Sequence, residues 1–253
     1  MGFTLVKMKL QKYYFWSMKI TKNQWFGLIT FILLAVAAYL VTVEPWKKST
    51  SDLGTSLVDM APSEIFIRWN DLASGYPMTI NTDTVISYMG FDLGYNEQFE
   101  QASWVTYVLT RDEAESVIVN RTDNFRPDTS IRTGSAQLND YRGSGFDRGH
   151  LAPAGDMKWH RTAMSESFLL SNMSPQSPSF NRGIWKKLEE QVRRWAIEKD
   201  SLYVITGPLL EPTDSLIGKS GVAIPTHYFK VLADLSPPDH SFIAFLLPNA
   251  ASS

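Results

Sequence analysis

With 253 residues, 44% of them hydrophobic and 20% charged, the chain has room for one sizeable core plus an appendage, which excludes a disordered or fibrous protein. It holds no cysteine, and that excludes a disulfide framework, a thiolate zinc site and a cysteine nucleophile together. A net charge of −2 excludes capture of a polyanion by bulk field, so any contact with nucleic acid must come from a local cluster.

Charge is distributed unevenly. Five of the 24 basic residues (Lys7, Lys9, Lys12, Lys19 and Lys22) fall in residues 1–24, which carry no acid, and the remainder sets 19 basic against 26 acidic residues. From Asn23 to Val43 run 21 uncharged residues. As a helix they would be about 30 Å long, the depth of a bilayer's hydrocarbon core. Trp25, Phe26 and Trp46 suit the interfacial belts, and the preceding lysines place the N-terminus in the cytoplasm and the rest of the chain periplasmic or extracellular. A cleaved signal peptide is the rival reading, but Tyr39–Pro45 lacks a small-x-small cleavage site, which favours a retained single-pass anchor. Residues 44–62 then read as a linker and 63–253 as the folded domain.

Within that domain, Ile65–Trp69 is a short apolar segment of unassigned type. Strands are predicted at Val85–Met89, Phe91–Tyr95 and Trp104–Leu109, the last covered on both faces. Residues 120–144 are polar, with Phe125 as an aromatic anchor, and three arginines, Arg121, Arg126 and Arg132, fall within twelve residues. Gly145-Phe146-Asp147-Arg148-Gly149-His150 reads as a tight turn. Thr162–Leu170 reads as helical. Ile184, Leu188, Val192 and Trp195 recur at helical spacing, predicting an amphipathic helix of about five turns from Asn181. Further strands are predicted at Leu202–Pro208, Tyr228–Leu232 and Phe242–Leu247.

The residues at 145–193 form a kit for cutting a phosphodiester. That reaction needs a base for water, a cation on the phosphate oxygens, and positive charge as negative charge grows on phosphorus. His150 can supply the base, because an imidazole near its ordinary pKa of 6.5 is largely neutral at pH 7. Asn181 offers a hard, neutral oxygen suited to Mg²⁺, which keeps most of its waters. Glu189 and Arg193 follow at helical spacing, where they can pair at i,i+4, Glu189 ordering a cation-bound water and Arg193 a phosphate. Each has a plainer reading: a structural histidine, an N-cap asparagine, a surface ion pair, and solvated loop arginines.

The ordered set Asp147-Arg148-Gly149-His150, Asn172-x-x-Pro175-Gln176, Asn181-x-Gly183-x-Trp185 and Leu188-Glu189-x-x-x-Arg193 resembles the DNA/RNA non-specific endonucleases of the ββα-metal, or His-Me finger, class, from about Tyr95 onward. The resemblance implies an α+β fold: a ββα-metal nuclease with a central, mainly antiparallel sheet flanked by helices. It implies His150 as general base and Asn181 as direct ligand of one Mg²⁺, with Mn²⁺ or another divalent cation able to stand in. It also implies catalytic support from Arg148, Glu189 and Arg193. Arg121 corresponds to the arginine that stabilises the transition state, with Arg126 fitting almost as well. Arg126, Asn172 and Gln176 then fall on the substrate side, where DNA and RNA are the substrates. Family chains continue beyond the strand matching Phe242–Pro248 with another strand and a helix, whereas this one stops at Ser253. A homodimer and a monomer both remain open.

Two functions compete. One is a membrane-anchored, metal-dependent, sequence-non-specific endonuclease. The other is a catalytically silent, membrane-anchored nucleic-acid-binding protein with the same fold, disfavoured by the intact His150 and Asn181 and by the acidic domain. A metallohydrolase built on His150, His160, His227 and His240 fails, because no two of them have metal-ligand spacing.

Overall fold

The computed structural model describes residues 18–20, 77, 82–212, 214–235 and 240–251. They belong almost entirely to the unit formed by Met1–Lys19 and Asn81–Ser253. The membrane span expected at Asn23–Val43, the linker 44–62 and Ile65–Trp69 lie outside the described residues. Among the described residues no helix is long and apolar enough to cross a membrane.

The strands in chain order are β1 (Met18–Ile20), β2 (Thr84–Ser87), β3 (Asp92–Asn96), β4 (Gln101–Thr110), β5 (Asp147–His150), β6 (Met173–Gln176), β7 (Ser201–Leu209), β8 (Leu216–Ile217), β9 (Val222–Ala223), β10 (His227–Asp234) and β11 (His240–Pro248). The helices are α1 (Arg111–Glu115), α2 (Leu138–Tyr141), α3 (Arg161–Glu166), α4 (Pro178–Phe180) and α5 (Lys186–Lys199). Seven strands make the central sheet in the order β1-β11-β10-β7-β4-β3-β2, and the β2–β3, β3–β4, β4–β7, β7–β10 and β10–β11 pairs are all antiparallel.

β4 and β7 pair at the centre of this sheet because both are near-continuous apolar runs. Both faces of β4 are covered, as the alternation predicts, except at Val108, which is 52% exposed near the strand's end. The main core joins Leu93, Val105, Leu109, Val204, Tyr228 and Leu232 of the sheet to Trp185, Leu188, Val192 and Ala196 of the α5 region. Burying such side chains is worth roughly 1.5–3 kcal/mol each. The helix therefore has little freedom to shift, and the polar groups on its inner edge are placed by this packing.

Three predicted elements differ. Asp147–His150 is a strand rather than a turn: it pairs antiparallel with β6, from Asp147 opposite Gln176 to His150 opposite Met173. The Thr162–Leu170 helix is only α3, and a 3₁₀ turn at Leu170–Asn172 follows. The long helix does not start at Asn181. One turn, α4, precedes that residue, a π-helical turn spans Asn181–Trp185 with Gly183 out of helical geometry (φ −102°, ψ −108°), and regular helix begins at Lys186. Periodicity located the buried stripe but was blind to the kink, because one glycine changes direction without changing the apolar spacing.

Candidate active site

Strand alternation sorts β5 into two faces. Arg148 and His150 point to one side, towards Phe125 and Phe168. Asp147 and Gly149 point to the other. Gly149 is required by close approach: a Cβ there would lie 2.2 Å from Gln176 Cδ.

His150 ends β5, where the chain behind it is clamped. The buried Asn172 amide accepts from Ala152 N and donates to the carbonyls of Ala152 and Ser167, at 2.8–2.9 Å. The imidazole meets Phe168 edge-to-face at 4.9 Å, and its Nε2 is buried with no protein partner. Burial, reinforced by the positive charges of Arg121 and Arg148, lowers its pKa from 6.5 to about 3. This histidine is neutral across the physiological range.

Asn181 hangs from the opposite face of the same strand. Its Nδ2 donates to Asp147 Oδ2 at 2.9 Å, which leaves Oδ1 as the amide's unspent acceptor. Asp147 also takes a two-pronged contact from Arg182, at 2.8 and 2.6 Å. Burial alone would raise the Asp147 pKa, but hydrogen bonds from Arg182 and Asn181 and the charges of Arg182 and Arg148 hold it below the usual carboxylate range. The side chain of Asn181 is therefore not an N-cap: it is tied to a charged carboxylate and aimed by it.

Glu189 and Arg193 do not form the expected i,i+4 pair. Arg193 instead bridges to Asp156, 1% exposed, at 2.7 Å, and Tyr107 donates to the other Asp156 oxygen at 2.9 Å. Burial pushes the Glu189 carboxyl up, with Asp156 adding to the rise and Lys230, Arg193 and Arg121 opposing it. Lys230 sits on the core-facing side of β10 with Tyr228 and Leu232, fully buried, its Nζ 4.8 Å from the Trp185 ring centroid and without a hydrogen bond. Burial lowers its pKa against the pull of Glu189 and Asp156. Lys230 and Glu189 act on one another electrostatically, each favouring the other's charged form.

The two candidate arginines separate. Arg121 lies over the Phe168 ring at 4.8 Å and acts electrostatically on both His150 and Glu189. Arg126 spends its Nη1 on the carbonyls of Ser165, at 2.8 Å, and Asn124, at 3.3 Å. Gln176 is fully buried with neither amide atom hydrogen-bonded, and it packs on Gly149. Sequence reasoning missed Asp156, Lys230, Phe168 and the holding role of Asp147. A lysine at an inward position of the predicted Tyr228–Leu232 strand was the one available signal. Among the described residues no three His, Cys, Asp or Glu side chains cluster as metal ligands.

Residues 72–253 match the model of the DNA/RNA non-specific endonuclease family, most of the chain. The chain belongs to that family. It is 38% identical over 191 residues to mitochondrial endonuclease G of Caenorhabditis elegans, covering 70% of this chain and 61% of that protein. It is 37% identical over 170 residues to the human mitochondrial endonuclease G, covering 62% and 57%. The chain thus spans about six-tenths of the length of these relatives. Nuclease C1 of Cunninghamella echinulata is 39% identical over 173 residues, 63% of this chain and 69% of that one. A crystal structure of an EndoG/EndoGI complex, described as showing the mechanism of EndoG inhibition, superposes with a TM-score of 0.65 at 35% identity, covering 69% of this chain and 77% of that chain. The α+β fold, with its large antiparallel sheet, therefore matches that solved structure.

Proposed function

We propose that the protein is a metal-dependent, sequence-non-specific endonuclease that hydrolyses phosphodiester bonds in DNA and RNA. The observation that carries this reading is an enclosed, neutral His150 flanked by Arg121 and Arg148, on the same short strand whose Asp147 orients Asn181. Relatives named endonuclease G and nuclease support it.

In this reading His150 accepts a proton from the attacking water. Nδ1 is the nitrogen assigned to that water, because Nε2 is enclosed. The water oxygen forms a bond to phosphorus, the bond from phosphorus to the leaving oxygen breaks, and that oxygen takes a proton from solvent. Arg121 and Arg148 face the charge that grows on the phosphoryl oxygens. The unspent Oδ1 of Asn181 is a hard, neutral oxygen that would hold Mg²⁺, Mn²⁺ or another hard divalent cation. When bound, the cation would supply Lewis-acid stabilisation of phosphate and leaving oxygen. Glu189 accepts a hydrogen bond from a water there. Arg193, tied to Asp156, holds the floor beneath Glu189, and Asn172 and Gln176 support β5 and β6 from behind rather than reaching substrate. Contact through phosphate and sugar carries little sequence information, consistent with non-specific cutting. Asn23–Val43 anchors the domain outside the cytoplasm, and a homodimer is compatible with this arrangement.

The test is to incubate the full-length chain with supercoiled plasmid and with RNA, in Mg²⁺ or EDTA, beside His150→Ala. Metal-dependent cleavage lost in the variant is the expected result. Binding without cleavage under every metal condition would instead establish the silent nucleic-acid-binding protein.

A further inference from the structure

Four side chains form with His150 a continuous cluster in which guanidiniums lie on aromatic faces. Arg121 Cζ is 4.8 Å from the Phe168 ring centroid, and Arg148 Cζ is 4.3 Å from that of Phe125. Phe168 meets His150 edge-to-face at 4.9 Å (89°) and Phe125 at 4.9 Å (83°), while Phe125 and His150 are 5.7 Å apart. Phe125 comes from the loop after α1, Phe168 from the turn after α3, and His150 from β5, so three chain segments converge. Backbone bonds fasten the convergence: Arg126 N donates to the Phe168 carbonyl and Leu170 N to that of Arg126.

We propose that Phe125 and Phe168 are positioning residues: their ring faces hold Arg148 and Arg121 beside His150, and the same rings keep water from its Nε2. The inference rests on the assignment of His150 as the base. A guanidinium held by a carboxylate is neutralised and must break its pair to take a phosphate. A ring face holds the cation without neutralising it, so its full charge stays available to the substrate. Arg148 makes no ion pair with a carboxylate among the described residues. The Arg121 pair with Asp123 is half exposed on both sides and correspondingly weak. Burial and two adjacent positive charges act on the imidazole in the same direction, and both depend on these rings.

The experiment uses the full-length chain in detergent micelles. His150 is followed by its imidazole C–H resonances through a pH titration, assigned by difference from His150→Ala, with kcat measured in parallel for the wild type, Phe125→Leu and Phe125→Tyr. Phe125 is half-buried, so the leucine variant is the milder ring deletion; Phe125→Met, of similar volume, serves if it does not fold. In Phe125→Leu the His150 pKa is expected to rise from about 3 towards its ordinary 6.5. Its kcat is expected to fall about tenfold, the worth of one partly desolvated cation–π contact. Phe125→Tyr, which keeps the ring, should stay near wild type in both readouts. An unmoved titration in the leucine variant overturns the inference, as does a tyrosine variant as impaired as leucine. Because the titration needs no substrate, a shifted His150 in a protein that cuts nothing would uphold the positioning role while removing the nuclease reading.

Discussion

An imidazole that is neutral well into acid cannot be what limits a hydrolase as pH falls through neutrality. His150, its pKa lowered to about 3, stays unprotonated throughout that range. Glu189 is different. Burial holds its folded pKa above the ordinary carboxylate value, so it stays protonated, and a weaker acceptor, until pH rises well past 4.5. We therefore expect kcat/KM to rise with pH on a limb lying above the usual carboxylate range, and Glu189→Gln to be slow at every pH without that limb. A limb retained in Glu189→Gln would assign it to another group. The arginines make a second prediction. Arg121→Ala should lower kcat roughly 10²–10³-fold, as expected for loss of a charge aimed at the transition state. Arg126→Ala, which forfeits hydrogen bonds to Ser165 and Asn124 carbonyls, should mainly cost about 1 kcal/mol of stability. Parallel kinetics and thermal melts separate the two, and the reverse ranking would exchange their roles. Composition and spacing identified His150, Asn181 and the arginine cluster as chemistry-bearing. They could not rank Arg121 against Arg126, because the two differ in partners supplied by α3 and the turn after it, some forty residues away.

At the scale of elements, the two faces of β5 carry different groups: one carries the proposed base, His150, and Arg148, the other the Asp147 carboxylate that accepts from Asn181. The strand pairs edge to edge with β6, and Gly149 leaves room on that face for the Gln176 side chain. Gly149→Ala should drive a methyl into Gln176, cost about 1–3 kcal/mol through overpacking, and lower activity beyond what the stability loss explains. Denaturant melts alongside initial rates test this; a variant as stable and active as wild type would mean that β5 and β6 separate freely. The helix prediction erred here for a physical reason. Apolar positions 184, 188 and 192 are equally well spaced whether the helix starts at Asn181 or after a kink at Gly183.

For the whole molecule, the acidic balance of the chain outside its first 24 residues means that the proposed nucleic-acid substrate would be met at the local arginine-rich face rather than through the overall field. The topology prediction belongs to this scale too. An alkaline phosphatase fusion joined after Lys48 should be active, since the enzyme folds only outside the cytoplasm, and an inactive fusion would reverse the orientation drawn from the five N-terminal lysines. What the sequence by itself determined is the periodic and the chemical: the sheet strands, the buried stripe of α5, and an ordered motif set that names the family. These depend on residue type and spacing, which the chain displays directly. Tertiary structure alone decided that Arg193 joins Asp156 rather than Glu189, that a buried Lys230 acts electrostatically on Glu189, and that Phe125 and Phe168 pack against His150. Each is a contact between segments far apart along the chain, and burial, which sets charge and orientation there, exists only once the sheet and α5 have closed on one another.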